Sequence, residues 1–219
     1  MSESSSRLFR VRIRGPLACF TRPEMKVERV SYEVMTPSAA RGVLEAILWK
    51  PAIVWRIHEI VVLSPIQWTS FRRNEINERQ SIGKKDYCAD TDRAQRNTVA
   101  LRDVDYVVTA SFQMTSKATD ADNVRKFEEM FERRLAKGQT HHQPYLGCRE
   151  FAADVSIAEP ALCPPPALAA VDRPLGMLLY DLDYSDAGNR PLFFAARLQH
   201  GVLRVPSREE LSQRMGVAP

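Results

Sequence analysis

The chain has little of what would tie it to a membrane, an oxidising compartment or a metal. No apolar run reaches the roughly 18 to 20 residues that cross a bilayer, and the opening MSESSSRLFR lacks the hydrophobic stretch of a secretory leader. A cytoplasmic protein with no membrane partner is the expectation. The four cysteines, Cys19, Cys88, Cys148 and Cys163, form no CxxC pair, which argues against both a disulfide framework and a zinc site. Reduced thiols, no metal and no cofactor are expected. Internal repeats are missing, and the proline run Pro164–Pro166 is the one low-complexity element. Charge of one sign is not in large excess either. With 31 basic and 27 acidic residues the formal charge is +4, which suits an anionic polymer without requiring one.

What is present is enough apolar material for a core. At 219 residues and 44% hydrophobic content, the chain fits one large domain or two small ones. Residues 8–14, LFRVRIR, alternate Phe9, Val11 and Ile13 with Arg10, Arg12 and Arg14, the period-two signature of a half-buried strand. Three like charges on one strand face repel unless an anion or acidic neighbours sit opposite, and phosphate is a natural counterion. Thr36 and Pro37 read as the cap and first residue of a helix. Ala40, Val43, Leu44, Ile47 and Leu48 mark its buried face, and Lys50-Pro51 ends it. Gly42 in its interior costs roughly 1 kcal/mol against alanine, which hints at something packed close.

A second strand is expected over 52–63, carrying Arg56 and His58 on one face. Residues 64–98 are polar, with Arg72, Arg73, Arg79, Lys84, Lys85, Arg93 and Arg96 near Trp68, Phe71 and Tyr87. They read as an inserted arm able to hold nucleic acid by charge and stacking, although a solvated loop has the same composition. A third strand follows at 104–114. Then comes the stretch from Asp122 to Glu150. Val124, Phe127, Phe131 and Leu135 recur at helical spacing, Gly138 supplies the stop, and the loop beyond holds His141, His142, Tyr145 and Arg149. Imidazoles, a phenol and a guanidinium so close together suit a phosphodiester, and a fourth short strand is expected near Tyr145–Glu150.

The order strand, helix, strand, arm, strand, helix, strand is that of an α+β, ferredoxin-like (RRM-like) βαββαβ domain. It is placed at residues 1–152 with the insertion at about 64–98. Residues 153–219, where GMLLYDLDY and PLFFAARLQ flank the turn SDAGN, read as a small C-terminal antiparallel β-sheet domain.

Two motifs go further. MTPSAARGVLEAILWKPAI at 35–53 and KGQTHHQPYLGCREF at 137–151 resemble the CRISPR-associated Cas-five family, in the variant of type I-C systems. The resemblance covers essentially the whole chain. It implies an endoribonuclease that cuts precursor CRISPR RNA at the repeat without metal. It also implies that the protein then stays on the 5′ handle beside the repeated backbone subunit and the large subunit of the interference complex. The family's cleavage residues are a tyrosine just before WKP and a lysine-histidine pair opening the second long helix. The matching positions here hold Leu48, Lys126 and Phe127, so only the lysine is kept.

Attack by the ribose 2′-hydroxyl needs a base, an acid and a cation for the developing charge. Lys126 is the candidate cation, and His142 and His141 are the candidate proton carriers, with Tyr145, His58 and Tyr32 behind them, because imidazole titrates near neutral pH. The RNA-binding candidates are Arg10, Arg12, Arg14, Arg56, Arg72, Arg73 and Arg149. The alternatives are a non-catalytic subunit holding the 5′ handle and a binder of double-stranded DNA through the same basic face.

Overall fold

In the computed structural model, which describes residues 4–25, 27–77, 88, 90–183 and 190–215, local signals set the ends of the two long helices and distant contacts place some of the strands. The first half of the chain gives β1 (Phe9–Ala18), β2 (Arg29–Val30), α1 (Pro37–Ile47), β3 (Ile53–Val62), β4 (Gln67–Ile76), β5 (Arg93–Met114) and α2 (Val124–Ala136). The second half gives β6 (Asp154–Ile157), α3 (Pro166–Ala169), β7 (Asp172–Asp183), β8 (Arg190–Gln199), β9 (Val202–Arg204) and α4 (Arg208–Met215). Helix α1 starts where expected: the Thr36 hydroxyl accepts from the Ala39 amide at 3.2 Å, and Pro37 takes the first helical position. Asn123 caps α2 by accepting from the Lys126 amide at 2.9 Å. Gly138, at φ +62, ends that helix in the left-handed region.

The described strands form one sheet in the order β6-β1-β5-β3-β9-β8-β7, with β2 and β4 also paired to β5. All pairs are antiparallel except β2 with β5. The result is a mixed α/β protein with a large, mainly antiparallel sheet and few helices. Residues 93–114 form one strand of 22 residues rather than a strand confined to 104–114. Its first half pairs with β4 from Ile76↔Arg93 to Gln67↔Arg102, so much of the expected arm is a two-stranded ribbon grown out of the sheet. Arg79, Lys84, Lys85 and Tyr87 of that arm, and the SDAGN turn, lie outside the described residues.

The fourth strand is not at Tyr145–Glu150. That segment is a loop with a single bridge from Tyr145 to Ala152, and the strand beside β1 is β6, a few residues later. Gly147 explains why. At φ +84, with a would-be Cβ only 2.1 Å from the Cys19 carbonyl oxygen, it turns the chain against the end of β1 where an extended ladder would not fit. The loop is pinned by Cys19 N–H to Leu146 O at 3.0 Å and Leu146 N–H to Phe151 O at 2.8 Å. The C-terminal hairpin of β7 and β8 continues the same sheet, because β9 pairs with both β8 and β3.

The core lies between this sheet and α1 and α2. Phe9, Trp55, Phe112, Phe127 and Phe131 form its aromatic centre, with Trp55 and Phe131 centroids 4.7 Å apart and Phe9 and Phe131 5.0 Å apart. Among the described residues no helix is long and apolar enough to cross a membrane.

Candidate functional site

The three arginines of β1 are already matched within the protein. Arg12 holds Asp105 bidentately, at 3.0 Å through Nε and 2.5 Å through Nη2, and Arg14 holds Asp154 at 2.8 Å. Arg10 donates to the carbonyl oxygens of Pro160 and Leu162 at 3.0 and 3.1 Å. The hydrogen bonds that Arg12 donates to Asp105, followed by the charge of that carboxylate, raise the Arg12 pKa above its ordinary value. Of the two ways to relieve three like charges, the fold uses acidic and carbonyl neighbours, so the expected phosphate contacts of Arg10, Arg12 and Arg14 would have to compete with partners already in place.

The remaining arginine candidates scatter. Arg73 is tied to Glu75 at 2.5 Å and Glu150 at 3.2 Å, and Arg56 donates to Gln113 at 3.2 Å. Arg72 is exposed on the ribbon and donates to Gln95 at 3.3 Å. Arg149 is exposed on the PYLGCREF loop, with no hydrogen bond or ion pair among the described residues. His58, exposed on the face of β3, shares a hydrogen bond of 2.8 Å with Ser111, and partial desolvation lowers its pKa below the ordinary 6.5. Tyr32 is 2% exposed under the Arg22 guanidinium.

Leu48 and Phe127, which stand at the tyrosine and histidine positions of the family motif, are 0% and 2% exposed. The Leu48 carbonyl oxygen accepts from Trp55 Nε1 at 2.9 Å, and Phe127 packs edge-on against Phe112. Both are core. Lys126 is half exposed in the first turn of α2, but its ammonium turns back over the helix start onto Asp122 Oδ1 and the Ala121 carbonyl oxygen, each at 3.1 Å. The histidine loop follows the other end of this 13-residue helix, which is about 18 Å long. The structure therefore does not bring Lys126 together with His141 and His142.

It does bring the histidine loop to α1. The His141 amide donates to the Ala46 carbonyl oxygen at 2.7 Å, and Arg134 Nη1 donates to the neighbouring Ile47 carbonyl oxygen at 2.8 Å. Both bonds satisfy carbonyls that the last turn of a helix leaves without partners. They fix an exposed pair of imidazoles at the α1 end, with ring centroids of His141 and His142 6.1 Å apart and of His142 and Tyr145 6.2 Å apart.

Tyr145 in turn forms one wall of a cleft, about 470 Å³ in volume, between α1, the PYLGCREF loop and β7. Thr36, Ser38 and Glu45 line it, and Arg41 crosses it. Arg41 donates to Asp181 at 2.9 and 2.8 Å and to Glu45 at 2.7 Å. Burial works against its charge, yet the bonds and charge of Asp181 raise its pKa. These groups were not among the sequence candidates. The spacing of Arg41 and Glu45, one helical turn apart, was visible in the sequence, but Asp181, 140 residues away, was not.

Comparison with known proteins gives this geometry its relatives. The family model described as "CRISPR-associated protein (Cas_Cas5)", Cas5d branch, matches residues 9–206. The chain is 46% identical over 212 residues to the CRISPR pre-crRNA endoribonuclease Cas5d of Mannheimia succiniciproducens, covering 90% of this chain and 94% of that protein. It is 41% identical over 218 residues to the protein of the same name from Thermus thermophilus, covering 91% of this chain and 92% of the other. Among solved structures, the crystal structure of a CRISPR-associated protein superposes with a TM-score of 0.71 at 23% identity, over 94% of this chain and 95% of that one. That last likeness is one of fold alone.

Proposed function

The chain belongs to the CRISPR-associated Cas5 family, in its type I-C branch, and on that premise we propose that it is an endoribonuclease cutting precursor CRISPR RNA within the repeat, without a metal ion. It then remains on the 5′ handle as a subunit of the type I-C interference complex, beside the repeated backbone subunit and the large subunit. The observation that carries this reading is the kinship, above 40% identity across nine tenths of the chain, with two proteins named for that activity. The order β6-β1-β5-β3, with α1 and α2 as crossovers on one face, supports a ferredoxin-like reading of the N-terminal part of the chain, although its fourth strand, β6 at Asp154–Ile157, lies beyond residue 152.

Chemically, the ribose 2′-hydroxyl loses its proton to a base and attacks the adjacent phosphorus. The 5′-oxygen of the next nucleotide leaves and takes a proton from an acid, giving a 2′,3′-cyclic phosphate and a 5′-hydroxyl. His142 and His141 supply base and acid in this proposal. They are exposed, close to one another, held by the end of α1 and next to a cleft of nucleotide size. Lys126, turned toward Asp122 at the far end of α2, is assigned to the RNA strand beyond the cleaved phosphate. Arg72 and Arg149 provide further phosphate contacts.

One observation favours a second reading, a non-catalytic subunit that only holds the 5′ handle: Leu48 and Phe127 fill the core where the family motif places proton-transfer groups. Labelled repeat RNA incubated with the purified protein in EDTA separates the two. A single specific cut is the expected result. Intact RNA that is nonetheless bound tightly leaves the handle-holding role, and equal competition by random duplex DNA removes RNA specificity as well.

A further inference from the structure

Gly42 sits in the middle of α1, where glycine weakens a helix relative to alanine. A glycine is kept inside a helix when another part of the chain approaches too closely for a Cβ, or when the backbone is left-handed. Neither applies. Gly42 is absent from the positive-φ positions, and a Cβ built on it meets nothing within 4 Å. Among the described residues nothing packs close to Gly42 as the sequence led one to expect. The open space beside Gly42 belongs instead to the cleft.

Among the described residues nothing fills this room, which leaves it open to an occupant from outside. We propose that the cleft seats one unpaired nucleotide of the repeat RNA, with its base entering over Gly42. The inference rests on the RNA-processing reading above and names the subsite that reading lacks. About 470 Å³ falls inside the ordinary range of small-ligand pockets, roughly 300–1,000 Å³.

The lining matches a base rather than a phosphate. Tyr145 offers a ring for stacking, and the half-buried Ser38, whose hydroxyl shares a 3.1 Å hydrogen bond with that of the buried cap residue Thr36, offers a hydroxyl to a base edge. Arg41 is neutralised by Asp181 and Glu45 together, leaving the cluster with a formal charge of −1, which repels a phosphate and leaves hydrogen-bonding groups for a neutral base. The cleft also adjoins the proposed chemistry, because Tyr145 is the wall residue beside His142. A nucleotide held there fixes which phosphate the histidine loop meets.

The test fills the space without breaking the fold. Gly42→Ala and Gly42→Leu are compared with wild type by thermal melting, by binding of labelled repeat RNA, and with a series of repeat RNAs carrying one abasic site each. Both variants are expected to melt at or above the wild-type temperature. Gly42→Leu is expected to lose roughly tenfold or more in RNA affinity, the scale of one lost base-stacking contact, and Gly42→Ala less. One abasic position should weaken binding to wild type and make no further difference to Gly42→Leu. Wild-type affinity in a stable Gly42→Leu, or an abasic penalty that persists in it, overturns the proposal while leaving the RNA reading intact. Unchanged RNA binding with failed assembly of the complex assigns the cleft to a protein segment and also overturns it. If wild type neither binds nor cuts repeat RNA, the parent reading fails first.

Discussion

Replacing Arg12 by methionine separates a structural arginine from a phosphate ligand. Arg12 Nε and Nη2 donate to Asp105 at 3.0 and 2.5 Å, and the two side chains are 30% and 16% exposed. Arg12→Met leaves a largely enclosed carboxylate without its cation. A charge-assisted hydrogen bond contributes about 1.5–3 kcal/mol, and partial exposure screens the pair toward the lower end, so a destabilisation of about 2 kcal/mol is expected. For a chain of this size that corresponds to a fall in melting temperature of roughly 4–8 °C.

The same substitution should leave repeat-RNA affinity within about twofold and the slope of log affinity against log salt unchanged, since a lost single-strand phosphate contact would flatten that slope by about 0.7. Arg12→Met combined with Asp105→Leu should recover most of the stability, because removing both partners of a pair leaves no stranded charge. Differential scanning fluorimetry and fluorescence anisotropy across a salt series read both quantities. An unchanged melting temperature together with weakened, less salt-sensitive RNA binding would refute the reasoning and return β1 to the RNA footprint.

Two other substitutions probe the walls of the site. Gly147→Ala forces a left-handed residue and drives a Cβ against the Cys19 carbonyl oxygen. It should cost about 2 kcal/mol or more and distort the cleft, so that both the melting temperature and RNA cleavage fall, whereas Gly138→Ala at the open α2 end, with nothing within 4 Å, leaves cleavage nearly unchanged. His58 has a folded pKa below its ordinary 6.5 because burial disfavours the imidazolium. Its contribution is therefore present above pH 6.5 and is lost as pH falls through the folded value. The melting-temperature gap between wild type and His58→Asn should be widest near pH 8 and close toward pH 5, and a gap that widens on acidification would contradict this.

Much of the fold was legible because local signals and tertiary demands agree. Phe9, Val11 and Ile13 alternate in sequence and point into the core, Thr36-Pro37 opens α1, and Gly138 closes α2. Where the structure adds to the sequence or departs from it, the deciding contact is distant. Nothing near Arg12 in the sequence announces Asp105, and nothing near Tyr145 announces that Gly147 must lie against Cys19 and push the fourth strand on to Asp154. Apolar periodicity correctly put Phe127 and Leu48 in the core, but it could not show that Lys126 turns back to Asp122, away from the histidines. The cleft was illegible for the same reason. Its charge is set by Asp181 on β7 meeting Arg41 on α1, and Gly42, a local trace of it, pointed to close packing when the space is open.

The most direct measurement is single-turnover cleavage of labelled repeat RNA in EDTA by wild type, by Lys126→Ala and by the double variant His141→Ala/His142→Ala. With proton transfer in the histidine loop, wild type cuts at one position, the double variant slows by about 10²-fold or more, and Lys126→Ala loses mainly affinity. Cleavage by the double variant at the wild-type rate, with Lys126→Ala inactive at saturating protein, would contradict it.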